Sequence, residues 1–175
     1  AYPSYNRPML TKSLLADLTA EQIAVEDAQW YEQNHISQLL GKTATRISTN
    51  DREVILSDGT HIPFTRLIYA LGSECFIPPI SGADKKNVIS IRRMDDVRKV
   101  SEALTDASHA VVIGGGVLGL EAAWELKKAG LRVTVLEAAP VLMGRQLDET
   151  AGSILKDIAE NQGIFQKKMQ TVFLF

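Results

Sequence analysis

Cysteine is almost absent from this chain: Cys75 is the only one. No intramolecular disulfide, Cys-x-x-Cys redox pair or cysteine-rich zinc site can form from it. That usage suits a reducing compartment, and a cytoplasmic location is the expectation. Histidine is scarce as well, and His35, His61 and His109 stand far apart in unrelated contexts, so no metal site is expected. An excess of one charge sign is also missing. The 19 Lys and Arg oppose 21 Asp and Glu, for a formal net charge of -2. A nucleic-acid footprint needs a clustered basic excess, and the pair Arg92-Arg93 is too short to supply one. No apolar run could span a bilayer and no basic-then-apolar leader opens the sequence. Neither nucleic acid nor a membrane is expected as a partner.

What is present reads as an ordinary globular composition, 45% hydrophobic over 175 residues, enough for one substantial domain or parts of two. The sequence opens Ala1-Tyr2-Pro3 without methionine and closes on the β-prone Thr171-Val172-Phe173-Leu174-Phe175, so both ends read as cut. Residues 13–18 read as a short helix after Asn6-Arg7-Pro8. A second helix is expected over 27–39, where Trp30, Ile36, Leu39 and Leu40 recur near helical spacing, with Gly41 ending it. Residues 43–64 read as an antiparallel β-meander, turning at Asn50-Asp51 and at the hairpin signal Asp58-Gly59. The apolar Arg66-Leu67-Ile68-Tyr69-Ala70-Leu71 is expected as a further strand. Phe76-Ile77-Pro78-Pro79-Ile80-Ser81-Gly82 reads as a linker, because its prolines remove donors and fix φ. A helix is expected over 94–104, with Asp95 and Asp96 in the first turn, where the helix dipole favours acids.

The clearest segment follows. Ala110-Val111-Val112-Ile113 is a buried strand by composition, residues 120–129 a helix ended by Gly130, and Arg132-Val133-Thr134-Val135-Leu136 a second strand. Strand, glycine turn, helix and strand make one right-handed βαβ unit. A helix over 148–161, stopped by Gly163, comes next. Gly114-Gly115-Gly116-Val117-Leu118-Gly119 sits between the first strand and its helix, the context a dinucleotide fingerprint requires. There Gly114 permits the tight turn, Gly116 lets the backbone approach a pyrophosphate, and Gly119 lets the helix pack closely on the strand. The N–H groups of the helix N-terminus then face the phosphates. Glu137 ends the second strand at about the 20-residue spacing of a ribose-binding acid. Its carboxylate accepts from a ribose 2′-OH and repels a 2′-phosphate, and the Ala138-Ala139 that follows brings no arginine, so NADH is favoured over NADPH.

Taken with three further segments, these residues resemble the two-dinucleotide flavoprotein reductases of the pyridine nucleotide–disulfide oxidoreductase superfamily. Tyr5-Asn6-Arg7-Pro8-Met9-Leu10-Thr11-Lys12 is similar to that family's flavin-side Arg-Pro-x-Leu-Ser-Lys segment. Leu67-Ile68-Tyr69-Ala70-Leu71-Gly72-Ser73 with Pro78-Pro79-Ile80-Ser81-Gly82 resembles its Ala-Thr-Gly crossover, and Ile91-Arg92-Arg93-Met94-Asp95-Asp96 its Leu-Arg-Thr-x-x-Asp stretch. The fingerprint, continuing into Leu142-Met143-Gly144-Arg145-Gln146-Leu147-Asp148, matches best. NADH:rubredoxin reductases, the ferredoxin reductases of oxygenase systems and the flavin part of NADH-dependent nitrite reductase are the groups it is most like.

The resemblance implies an α/β fold: a Rossmann-type βαβ dinucleotide-binding unit plus a partial FAD-binding domain carrying the meander. Residues 1–107 would be the partial FAD domain, lacking its first glycine fingerprint, and 108–175 the N-terminal half of the NADH domain. FAD contacts are implied at Arg7, Pro8 and Lys12, at the backbone of Ala44, Ala70, Leu71 and Gly72, and at Arg92 by the flavin pyrophosphate. Leu71 stands where the family usually has threonine, so that turn offers no side-chain hydroxyl. NADH would fall to Gly114, Gly115, Gly116, Val117, Leu118, Gly119 and Glu137. Lys12 would lie beside flavin N5, with Glu121 paired to it; these two are the implied catalytic residues. Taken singly, Lys12 is a solvated lysine and Glu121 a favourable first-turn acid. Cys75 reads as an inert packed thiol, for want of a resolving partner.

The implied function is that of a fragment of an FAD-dependent NADH oxidoreductase, passing hydride from NADH to flavin and electrons on to a small redox protein or other acceptor. Such a fragment is expected to turn over poorly and to self-associate through apolar faces left uncovered. The alternative is an NAD(H)-binding module without catalytic activity, using the fingerprint alone. A single-domain carbonyl dehydrogenase would need a Tyr-x-x-x-Lys pair or a catalytic histidine after Glu137, and the sequence has neither.

Overall fold

The computed structural model describes residues 2–12, 14, 16 and 18–168. By contacts the chain divides into two compact units, Ala1–Asn6 with Thr19–Cys75, and Arg7–Leu18 with Phe76–Phe175. The expected tail strand at 171–175 lies outside the described residues, as do Ser13, Leu15 and Asp17 of the helix expected over 13–18.

In the first unit the β-meander forms as expected. Strands β1 (Ala44–Ser48), β2 (Glu53–Leu56) and β3 (His61–Pro63) pair antiparallel in the order β1-β2-β3. The turn glycine Gly59 has φ 83°, a left-handed conformation that glycine adopts without a steric penalty. Residues 66–71 are not a strand: Ile68 is 88% exposed and Tyr69 74%. β-propensity is realised only against a partner ladder, and among the described residues none lies beside this segment. The helix expected over 27–39 is shorter than its periodicity suggests. In this unit the helix runs only from Ala28 to Gln33, capped by the Asp27 carboxylate, which accepts from the Trp30 N–H at 2.7 Å. It closes at His35 (φ 54°), where the His35 N–H donates to Glu32 O and the Ile36 N–H to Tyr31 O. That is a Schellman closure made by histidine, six residues before the glycine that was expected to make it.

The second unit holds a parallel sheet of β4 (His109–Ile113), β5 (Arg132–Glu137) and β6 (Ile164–Lys168), in the order β4-β5-β6. Its helices, numbered with the short Met9–Lys12 as α1 and Ala28–Gln33 of the first unit as α2, are α3 (Met94–Leu104), α4 (Val117–Lys128) and α5 (Glu149–Asn161). Helix α1 precedes the segment expected as helix at 13–18, three of whose residues lie outside the described ones, and α4 begins at Val117, three residues ahead of the expected start. The fingerprint's last glycine lies inside α4. Helix α4 ends where the Gly130 N–H donates to Lys127 O and the Leu131 N–H to Leu126 O, the glycine closure its sequence predicts.

Period-2 alternation places the core. Val133 and Val135 of β5 are fully buried and Ile164 of β6 nearly so, joined by Ala122, Ala123 and Leu126 of α4. Burying each such valine contributes about 1.5–3 kcal/mol. Leu10 and Leu14 are also buried, and α1 packs on α4 and α3. That packing fixes Thr11 and Lys12 beside the first turns of α4. Among the described residues no helix is long and apolar enough to cross a membrane.

Candidate functional site

The glycine turn after β4 is held at both ends. Its Gly114 N–H donates to the Leu136 carbonyl at 2.8 Å, and the Met143 N–H donates to the Gly115 carbonyl at 2.9 Å. Gly114 has φ 107°, a conformation closed to other residues without strain. Gly119 is required by packing: a Cβ there would collide with the Gly114 carbonyl oxygen and sit 3.0 Å from its carbon. Around Gly116, by contrast, nothing lies within 4 Å of where a Cβ would be. Gly116 is the N-cap of α4 and makes no side-chain cap, and the first bond back into the helix is Leu120 N–H to Gly116 O at 2.9 Å. The N–H groups of Val117, Leu118 and Gly119 therefore lead the helix, at the end where its dipole favours an anion. An open, uncapped helix start with no Cβ at its mouth fits a pyrophosphate.

Glu137 closes the site from the end of β5. Its Oε2 accepts the Gly115 N–H at 2.6 Å and its Oε1 the Ala139 N–H at 2.7 Å. Partial burial pushes its pKa up, but N–H donors from Ala139, Gly115 and Ala138 and the charge of Arg145 outweigh that and hold it below the ordinary glutamate value. The carboxylate is thus ionised and oriented, as an acceptor for ribose hydroxyls must be. Two features of this corner were not read from the sequence. A Cβ on Gly115 would meet the buried Leu142 side chain at 2.6 Å, so a larger residue at the fingerprint's second position requires Leu142 to shift. Arg145, eight residues beyond Glu137, puts a positive charge near the carboxylate despite the alanines beside it. The loop back-bond from Met143, itself at φ 52°, brings this about, and no local pattern announces it.

Lys12 and Glu121 are 109 residues apart in sequence, yet Lys12 Nζ lies 3.7 Å from Glu121 Oε1. The Thr11 hydroxyl donates to the other carboxylate oxygen, Oε2, at 2.8 Å. The same unit carries Arg7 and Pro8, both exposed, and the half-buried Arg92. The Arg92 and Arg93 N–H groups donate to the Asp96 carboxylate at 3.1 and 2.9 Å, which fixes the backbone at the start of α3. Ala44, Ala70, Leu71 and Gly72 belong to the other unit, where all four are exposed and Gly72 has φ 71°.

Comparison with known proteins gives a consistent picture. The family described as "Pyridine nucleotide-disulphide oxidoreductase" matches residues 2–172. The "Nitrite reductase [NAD(P)H]" of Bacillus subtilis is 42% identical over 93% of this chain and 20% of its own length. The "Rubredoxin-NAD(+) reductase" of Pseudomonas putida is 33% identical over 91% of this chain and 42% of its own. Among solved structures, NADH:rubredoxin oxidoreductase from Clostridium acetobutylicum superposes with a TM-score of 0.79 at 28% identity, covering 95% of this chain and 44% of that one. The chain thus spans a fifth of the length of the nitrite reductase and under half of the other two.

Proposed function

This chain belongs to the pyridine nucleotide-disulphide oxidoreductase family, and we propose that it serves as part of an FAD-dependent NADH reductase that delivers electrons to a small redox protein or another acceptor. The observation that carries the reading is the joined geometry of the glycine turn and Glu137, an open helix start beside an ionised, oriented carboxylate. When bound, the two cofactors supply hydride transfer from the nicotinamide to flavin N5.

The chain's own residues do the rest. The N–H groups at the start of α4 bind the NADH pyrophosphate, and Glu137 accepts from the ribose hydroxyls. Lys12 would supply a positive charge to a flavin bound beside it, favouring negative charge on that ring. Glu121 keeps Lys12 in place. Arg7, Pro8 and Arg92 are proposed as flavin contacts from the same unit. Further backbone contacts are proposed at Ala44, Ala70, Leu71 and Gly72. Residues 1–107 are proposed as flavin-side and 108–175 as NADH-side. The relatives' names support this reading, since each names a reductase or oxidoreductase together with NAD(P)H, NAD(+) or NADH.

The test is the visible absorbance of the purified chain supplied with FAD, before and after anaerobic NADH. With FAD kept in excess, a flavin band that bleaches with NADH faster than free FAD does is the expected result, and weak retention of flavin on desalting is expected of a partial flavin site. NADH binding with no such acceleration would favour the alternative, a nucleotide-binding module without catalysis. Loss of both would overturn the proposal.

A further inference from the structure

The Lys12–Glu121 pair is looser than two such groups need be. At 3.7 Å it is an ion pair without a hydrogen bond, whereas charge-assisted N–H···O bonds close to about 2.7–2.9 Å. Lys12 is 54% exposed on a flexible stem. What differs is the third group. Thr11, adjacent in sequence, is 5% exposed, and its hydroxyl holds Glu121 Oε2 at 2.8 Å. A threonine is stiff at χ1, and a shielded hydroxyl left without a partner is costly, so this bond is an anchor for the carboxylate. Consecutive residues of α1 thus grip Glu121 unequally, the buried Thr11 by a hydrogen bond and the exposed Lys12 by charge alone.

We propose that Thr11 is a positioning residue that holds the Glu121 carboxylate off the Lys12 ammonium. The Lys12 charge is steadied, and its N–H donors stay directed to the ligand that Lys12 serves. As far as that ligand is the flavin, the inference rests on the reading of Lys12 given above. The Thr11 geometry itself does not. Without the hydroxyl, Glu121 closes onto Lys12, occupies its N–H donors and neutralises part of its field.

The first test needs no cofactor: trace acetylation of the full chain with acetic anhydride, read at the Lys12 peptide by mass spectrometry. The nearly isosteric Thr11→Val is expected to slow Lys12 acetylation about two- to threefold, from closing an ion pair of this length to hydrogen-bond distance in a partly solvated site. Thr11→Ser should restore the rate, and Thr11→Val in a Glu121→Gln background should have no effect. The lysines of α4, Lys127 and Lys128, serve as references for an intact fold. An unchanged rate in Thr11→Val, or the same slowing with Glu121→Gln, overturns the assignment. The second test is the flavin midpoint potential of the loaded protein. Thr11→Val should move it negative, and Lys12→Met should move it further and abolish the Thr11 effect. If acetylation responds to Thr11→Val while Lys12→Met leaves the potential unchanged, the flavin reading of Lys12 falls and the Thr11 assignment stands. If Lys12→Met shifts the potential while Thr11→Val changes neither readout, the Thr11 assignment falls alone.

Discussion

Two glycines three residues apart should respond in opposite ways to the same added methyl group. In Gly119→Ala the new Cβ lies 3.0 Å from the Gly114 carbonyl carbon and collides with its oxygen. Carbon pairs settle at about 3.5–4.0 Å, so α4 and the turn must separate by at least about 0.5–1 Å, and the closer oxygen contact asks for more. Both sides of that contact are backbone, and neither can escape by a rotamer change. Overpacking of this kind costs about 3 kcal/mol, the upper part of the usual range, and better helix propensity returns at most about 1 kcal/mol. A net loss of about 2 kcal/mol should lower the urea midpoint by about 1 M at a typical denaturant slope. In Gly116→Ala nothing lies within 4 Å, and φ is −81°, which alanine adopts freely. Stability should change by no more than about 0.5 kcal/mol, the balance of a weaker N-cap against a less flexible unfolded chain. NADH affinity, measured by fluorescence titration, should nonetheless fall at least about tenfold, because the methyl group occupies the pyrophosphate's approach. The reasoning is refuted if Gly119→Ala unfolds at the wild-type urea concentration, or if Gly116→Ala binds NADH as tightly as wild type does.

Other substitutions test the carboxylates. Glu137 has a folded pKa below 4.5, so in that range the unfolded chain binds more protons, and its contribution is complete above about pH 4.5 and lost as pH falls through the folded value. The stability gap between wild type and Glu137→Gln, read from urea midpoints, should therefore be largest at neutral pH and shrink on acidification; a gap independent of pH would contradict this. Asp96→Ala removes the acceptor for the Arg92 and Arg93 N–H groups and should cost about 1 kcal/mol, with faster amide exchange at those two positions. Unchanged exchange there would show that this cap does not hold the segment.

The elements that were legible in the sequence are those whose causes are local. Helix α3 spans the expected 94–104 because Met94, Val97 and Val100 share one buried face and the acids stand in its first turn. The meander and the βαβ unit announced themselves through turn signals and β-prone runs, although β4, expected as a buried strand, leaves Val111 54% and Ile113 50% exposed. Residues 66–71 misled for a nonlocal reason: a largely apolar run specifies what it would pair with, not whether a partner stands beside it. Helix α2 misled because His35 took the left-handed closing position usually left to glycine, so the periodic apolar residues beyond it had no helix to belong to. Strand β6 was missed because Ile164-Phe165-Gln166-Lys167-Lys168 is too polar to read as a buried parallel strand. It forms at the sheet's margin, where only Ile164 is fully covered.

The site shows the same division. Every fingerprint residue and Glu137 could be named from spacing, because a turn, a helix start and a strand end are all set within one βαβ unit. The groups that tune them come from farther off. Arg145 reaches Glu137's surroundings only because the loop after β5 bonds back to Gly115, and Thr11 reaches Glu121 only because α1 packs on α4. The consequence at Glu137 is specific. One oxygen is already held by the Gly115 N–H and the other by the Ala139 N–H, yet a carboxylate oxygen has capacity for a further donor. A ribose diol can therefore add to the carboxylate without displacing either backbone bond, and the orienting cost is met before the nucleotide arrives. A 2′-phosphate would bring charge against a group that its own backbone donors keep ionised. The Arg145 charge opposes that repulsion, so removing it should raise the ratio of the NADPH to the NADH dissociation constant, whereas removing the Glu137 charge should lower it.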